Sequence, residues 1–238
     1  MRPRSKQGRG SGPPQGNTSA SSAALELPPV VYHIAESANW PFIEKEGLQC
    51  AATLMRQSSL DVEEIKRCER QQRTSRLVLP DGRVLRDQCP VPATALERCL
   101  VNMSPPEWYS LLNSQIFFWV DVDRLNRVRK VMIDTVQFVA VVDTAALLAK
   151  YGASAAVTPF NIGNARRKAS QRSNSTLVPY TLWQSSGWQT ETEGVGGRPR
   201  ARSHKAAELV VDTAIPDFMD FVLEVRRLAP GQLMERWV

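Results

Sequence analysis

The chain has 238 residues, 42% of them hydrophobic and 23% charged, which suits one sizeable folded domain and excludes a wholly disordered protein. Its longest apolar run, residues 136–142 with Gln137 inside it, is far short of the ~20 residues a bilayer requires, so no membrane partner is expected. The formal charge of +6 is uneven: residues 1–25 carry four basic and no acidic side chains, residues 161–205 carry eight basic against two acidic, and the remainder sums to −4. A mildly acidic body with two basic segments suggests a polyanion such as DNA or RNA, met through residues 161–205. Arginine-rich loops that merely solubilise a surface have the same composition.

Residues 1–29, rich in Ser, Gly, Pro, Arg and Gln and ending at Pro28-Pro29, have no apolar period, and a disordered basic tail is expected there. A transit peptide is the rival reading, but no amphipathic face supports it. Residues 30–238 are expected to form a single domain. Val30-Val31-Tyr32-His33-Ile34 opens it as a β-branched strand. A short helix follows, capped by Ser37 or Asn39, with Pro41 in its first turn and Gly47 at its end. Leu60 to Gln72 reads as an exposed helix, and Pro80-Asp81-Gly82 between two apolar runs reads as a hairpin with charged arms.

Pro92 to Leu100 and Ser104 to Leu112 read as short helices, and Gln115 to Asp121 as the best core strand. Gln137 to Val142 and Ala155 to Phe160 predict further strands, with a helix from Thr144 to Tyr151 between them. Glu208 to Val211 reads as a strand, and Ala214 to Arg227 as a strand or helix behind Pro216. Strands at the start, middle and end, separated by unequal helices, predict an α+β fold.

The four cysteines, Cys50, Cys68, Cys89 and Cys99, contain no C-x-x-C pair, and no apolar secretory segment precedes Leu25. They are expected as reduced thiols in a cytoplasmic protein, without a structural zinc. No G-x-G-x-x-G, P-loop or G-x-S-x-G is present. Gly194-Val195-Gly196-Gly197 follows polar residues and is expected as a flexible loop, and Ser173 and Ser175 are expected in a mobile one. Of the two histidines, His204 belongs to a basic run. His33 sits in an apolar strand, where an imidazole needs a specific partner: a ligand, or simply backbone or water.

The string from Val31-Tyr32-His33 to Ile43-Glu44-Lys45-Glu46-Gly47-Leu48 resembles the opening of ADP-ribosyltransferase-like domains, in particular the DarT-like branch. Glu208-Leu209-Val210-Val211, followed by Ile215-Pro216, looks like that family's late strand. The resemblance spans about residues 30–225 and implies an ADP-ribosyltransferase-like split β-sandwich with flanking helices, using NAD as substrate. It implies Glu208 as the catalytic carboxylate, which stabilises the oxocarbenium-like charge formed as nicotinamide leaves, and His33 as the residue that holds NAD. Tyr32, Trp119, Tyr180 and Arg166 are further candidates for the cofactor cleft, as is Trp183 for stacking on nicotinamide and Arg73 or Arg167 for the family's arginine. The acceptor is left open between a nucleic-acid base, a protein side chain, a small molecule and none at all, because the segment 198–205 before the glutamate departs from the family, with a nucleic acid or a protein preferred. The rival readings are an RNA 2′-phosphotransferase-like enzyme, which two histidines argue against, and a non-enzymatic nucleic-acid-binding module. The Phe117-Phe118-Trp119-Val120-Asp121 strand and the segment from Thr158 to Arg167 also resemble an uncharacterised bacterial group.

Overall fold

The first strand, β1 (Val30–Glu36), forms because its β-branched and small residues can serve two apolar layers at once. In the computed structural model, which describes residues 24–166 and 169–237, Val31 and Ala35 enter one core cluster with Trp40, Phe118, Val142 and Leu209. Val30 and Tyr32 enter a second, on the other face of the sheet, with Trp119, Leu125, Val139 and Val141. The remaining strands are β2 (Leu77–Val78), β3 (Val84–Leu85), β4 (Ile116–Trp119), β5 (Gln137–Asp143), β6 (Ala155–Thr158), β7 (Val178–Pro179), β8 (Glu208–Val211) and β9 (Val222–Leu228). The helices are α1 (Trp40–Glu46), α2 (Ala51–Gln57), α3 (Val62–Arg70), α4 (Ala93–Leu96), α5 (Pro105–Asn113), α6 (Val122–Arg129), α7 (Thr144–Tyr151), α8 (Tyr180–Ser186) and α9 (Gln189–Val195).

Seven strands form one antiparallel sheet in the order β7-β6-β8-β4-β1-β5-β9, and β2 and β3 form a separate hairpin. The mixed α+β character expected from the sequence is present. Helices α1, α7 and α8 supply Ile43, Leu147 and Trp183 to the first core cluster, Trp188 joins it from the N-cap of α9, and α6 supplies Val122 and Leu125 to the second. Four consecutive residues of β5, from Val139 to Val142, are 0% exposed, so this strand is covered on both faces and reads as a continuous apolar run.

The joint between β1 and β4 differs from every other in the sheet. Strands β1 and β5 share register from Val30↔Asp143 to Glu36↔Gln137, and all four residues of β4 pair with β8. Between β1 and β4, only Tyr32↔Trp119 is in register. Beyond that pair the two strands diverge, and the His33 side chain bridges the gap by donating from Nδ1 to the Phe117 carbonyl oxygen at 2.9 Å.

Several elements differ from the sequence reading. Residues 161–205, expected as loop, contain β7, α8 and α9, anchored by Trp183 and Trp188, which are 3% and 1% exposed. Helices α2 and α6 were not foreseen, and the segment after Pro216 resolves into a short 3-10 turn and the edge strand β9. The tail ends earlier than residue 29. Leu25 N donates to Gln184 O, Thr144 N donates to Pro29 O, and Leu25 and Leu27 pack against the first core cluster. Residues 1–23 of the expected tail lie outside the described residues.

Asn39 occupies the N-cap of α1 but does not cap it. Its amide instead pairs both ways with Val84, donating from Nδ2 to the carbonyl (2.8 Å) and accepting from the backbone N–H (2.7 Å). The hairpin is thereby fastened to the end of β1 as an extra strand would be. Arg83 adds an ion pair to Glu46 (3.3 Å) and lies over the Phe42 ring at 5.0 Å. All four cysteines are free. No helix among the described residues is long and apolar enough to cross a membrane.

Candidate functional site

The divergence of β1 from β4 opens a cavity of about 540 Å³, within the range of sites that take small molecules. His33 to Glu36 line it from β1, and Ile116, Phe117 and Trp119 line it from β4. Strand edges that share no register pair leave backbone polar groups in need of partners, so such an opening suits a ligand rich in hydrogen-bonding groups. The β2-β3 hairpin forms one wall through Arg83 to Gln88, and the loop after β6 contributes Asn161, Gly163 and Asn164.

Glu208 lines the same cavity from the first position of β8, in register with Trp119 on one side and Thr158 on the other. It is 2% exposed. Its Oε2 accepts from Thr158 Oγ1 (2.9 Å) and from Ile162 N (3.0 Å), whereas Oε1 has no hydrogen-bond partner among the described residues. Burial pushes its pKa up to about 7, against the lowering pull of the Ile162 N–H, the Thr158 hydroxyl and the charges of Arg124 and Arg172. The carboxyl therefore titrates at neutral pH, and a cation arriving beside it favours the ionised form.

His33 is held differently. A carbonyl oxygen can only accept, so the bond to Phe117 fixes the proton on Nδ1 and leaves the Nε2 lone pair for a ligand hydroxyl or N–H. Burial lowers its pKa, opposed by the same carbonyl, which keeps the ring neutral at pH 7. Phe118 and Phe218 flank the ring with centroids at 5.7 and 6.0 Å. The site thus offers a neutral acceptor on one lip of the split and a titrating carboxyl across from it.

The other sequence candidates fall in different places. Trp119 lines the cavity, although its ring also packs with Val30 and Tyr32 in the second core cluster. Tyr32 points to that opposite face and is not part of the cavity wall. Tyr180 starts α8 and packs against Trp183 at 6.3 Å between centroids, away from the wall. Arg166 is exposed, donates from Nε to the Cys89 carbonyl (3.2 Å) and does not line the cavity. Arg73 does line it but is committed to the protein, donating to the carbonyls of Arg86 and Cys68 and to Asn113 Oδ1. Arg167 lies outside the described residues.

The basic segment is less free than its composition suggests. Arg172 is 1% exposed and donates to the carbonyls of Ser170, Ile162 and Asn164, so it braces the loop whose Ile162 N–H holds Glu208. Arg200 makes a two-point contact with buried Glu191 at 2.7 and 2.9 Å, and Arg202 donates to the carbonyls of Ser185 and Gln184. Trp183 and Trp188 are core side chains and cannot stack on bases. His204 is turned inward, with Nε2 on Pro159 O at 2.8 Å and its ring 5.7 Å from Trp188.

Sequence reasoning missed Thr158 and Ile162 as partners of Glu208, though both lie in the segment that resembles the uncharacterised bacterial group. It also missed Arg86, whose local sequence reads as a charged hairpin arm. Neither the curated proteins nor the solved structures contain a match to this chain. The model of a family described as of unknown function, DUF7002, matches residues 29–222, a span that includes His33, the hairpin, the divergence of β1 from β4, and Glu208. With most of its length under that one model, the chain belongs to the DUF7002 family.

Proposed function

We propose that this protein is an NAD-dependent ADP-ribosyltransferase, built on an ADP-ribosyltransferase-like split β-sandwich, that transfers ADP-ribose to a nucleic-acid or protein acceptor. One observation carries the reading: the sheet parts between β1 and β4, and His33 and Glu208, 175 positions apart in sequence, line the single cavity that results. His33 Nε2 is an acceptor suited to a ribose hydroxyl. The ionised Glu208 Oε1 faces the place where positive charge grows on ribose C1′ as its bond to nicotinamide breaks and the bonding electrons leave with the ring. After the acceptor atom attacks C1′, its proton passes to Glu208 or to water. Thr158 and Ile162 hold Oε2, so the free oxygen keeps its aim without reorganisation during the reaction.

The test is calorimetry with NAD together with an assay of nicotinamide release. Glu208→Gln keeps size and hydrogen bonding but removes the charge. It lowers nicotinamide release by about 10²-fold or more while NAD binding stays within a few-fold, the pattern of an interaction made mainly in the transition state. His33→Ala instead weakens NAD binding. A wild-type protein that binds no NAD, or a Glu208→Gln variant that turns NAD over at the wild-type rate, ends this reading. Labelled NAD offered with DNA, RNA and protein then identifies the acceptor class.

A further inference from the structure

Arg86 is a half-buried arginine whose guanidinium makes no ion pair or hydrogen bond among the described residues. It lies on the cavity wall at the end of the β2-β3 hairpin. Its Nε is buried with no hydrogen-bond partner, and no carboxylate among the described residues stands within ion-pair distance of it. The charges of Glu36 and Asp87 act on Arg86 from beyond ion-pair distance, and each carboxylate has a nearer partner. Glu36 is paired with Arg76 at 3.3 Å, and Asp87 accepts from the backbone N–H of Cys89 at 3.0 Å. Arginine does not deprotonate to escape such a position, and a buried charge left unpaired is costly. Glu36 and Asp87 offset part of that charge from a distance, but the donors of the fork have no acceptor until a ligand anion supplies one.

Of the four other arginines of the wall, Arg127 is exposed to solvent, and the remaining three mark the contrast. Arg73 has three protein acceptors, Arg83 holds Asp81 and Glu46, and Arg124 holds Asp121. Arg86 is placed without being occupied. Its setting is also rigid, because Asn39 and Arg83 fasten the hairpin to the helix that follows β1, so the guanidinium is aimed before any ligand arrives.

We infer that Arg86 is the anion-binding residue of this cavity and that it takes the phosphate groups of a diphosphate-bearing ligand through its planar fork of N–H donors. The inference deepens the proposed NAD reading by assigning the residue that receives the dinucleotide's diphosphate. It rests on that reading only for the rest of the ligand, since the need for an anion comes from Arg86 itself.

The experiment titrates the full chain by calorimetry with inorganic pyrophosphate and, separately, with NAD, in wild-type protein and in Arg86→Gln and Arg86→Lys. Wild type binds pyrophosphate, Arg86→Gln weakens that binding by about tenfold or more, and Arg86→Lys recovers part of it. Without ligand, Arg86→Gln melts at the wild-type temperature or above it, because the guanidinium makes no hydrogen bond or ion pair that the fold would lose. A guanidinium with a structural role would give a lower melting temperature instead. Pyrophosphate binding that is absent in wild type, or unchanged in Arg86→Gln, overturns the inference. Arg86-dependent binding of pyrophosphate with no binding of NAD upholds the anion site and ends the NAD reading.

Discussion

Glu208 makes a stability prediction that needs no substrate. Its pKa rises from the ordinary glutamate value of 4.5 to about 7 through burial. A carboxyl with a raised folded pKa favours the protonated fold. Its contribution is complete below pH 4.5, where folded and unfolded chains are both neutral at this group. It falls as pH climbs to 7, because the unfolded chain ionises first, and it is flat above. At about 1.4 kcal/mol per pKa unit, the full loss is about 3 kcal/mol. Glu208→Gln keeps an oxygen for Thr158 Oγ1 and Ile162 N and has no charge to desolvate. The variant therefore matches wild type at pH 4.5 and exceeds it by about 3 kcal/mol at pH 8. For a chain of this length that is roughly 6 to 12 °C in melting temperature. Thermal melts of both proteins from pH 4.5 to 8.5 measure the difference directly. Two curves that run parallel across that range would refute a buried, titrating Glu208. On the proposed ADP-ribosyltransferase reading, in which the carboxylate is the working form, the same titration sets the activity profile: nicotinamide release rises with pH through about 7 and levels off above it.

Gly47 has φ +76°, and a Cβ there would sit 2.1 Å from the Ile215 carbonyl oxygen, so Gly47→Ala costs about 3 kcal/mol or more in urea unfolding. A loss under 1 kcal/mol would show that α1 can move off the 215–216 segment. Arg129 is 0% exposed and donates to the carbonyls of Met132, Ile133, Ala229 and Gln232, so Arg129→Met strands buried acceptors and costs about 3 kcal/mol or more by the same assay. Arg200→Ala leaves Glu191, 2% exposed, without its cation and costs about 2 kcal/mol, and adding Glu191→Gln recovers part of the loss. If the double variant is no better than the single one, the pair is not what holds α9. Leu27→Asp places a charge against the first core cluster and lowers the melting temperature measurably, whereas a mobile tail there would tolerate it.

The sequence by itself determined the strands β1 to β6 and β8 and the ends of some helices, because those are local matters. A run such as residues 137–142 can be satisfied only as a strand covered on both faces. Gly47 ends α1 because its positive φ suits glycine, and Ser104 with Glu107 starts α5 through a capping box readable from spacing alone. His33 stood out for the same reason, as a polar ring in an apolar strand. Helices α8 and α9 were hidden because Trp183 and Trp188 are sparse anchors in a polar stretch, and their burial comes from a core assembled elsewhere in the chain.

The site was decided by tertiary structure. Tyr32 and His33 are neighbours in one strand, and only the pairing with β4 determines that the first is packed against the far face while the second spans the opening. The arginines of residues 161–205 read as a surface for polyanions, yet Arg172 and Arg200 are consumed by carbonyls and by Glu191. Arg86 read as one more charged residue of a hairpin, and it became notable only because Glu36 makes its ion pair with Arg76 and the Arg86 Nε is buried without an acceptor. Composition and period fix which residues a strand must bury. Whether a buried charge has a partner depends on distances between groups far apart in the chain, and those distances exist only after the sheet has closed on one side of His33 and opened on the other.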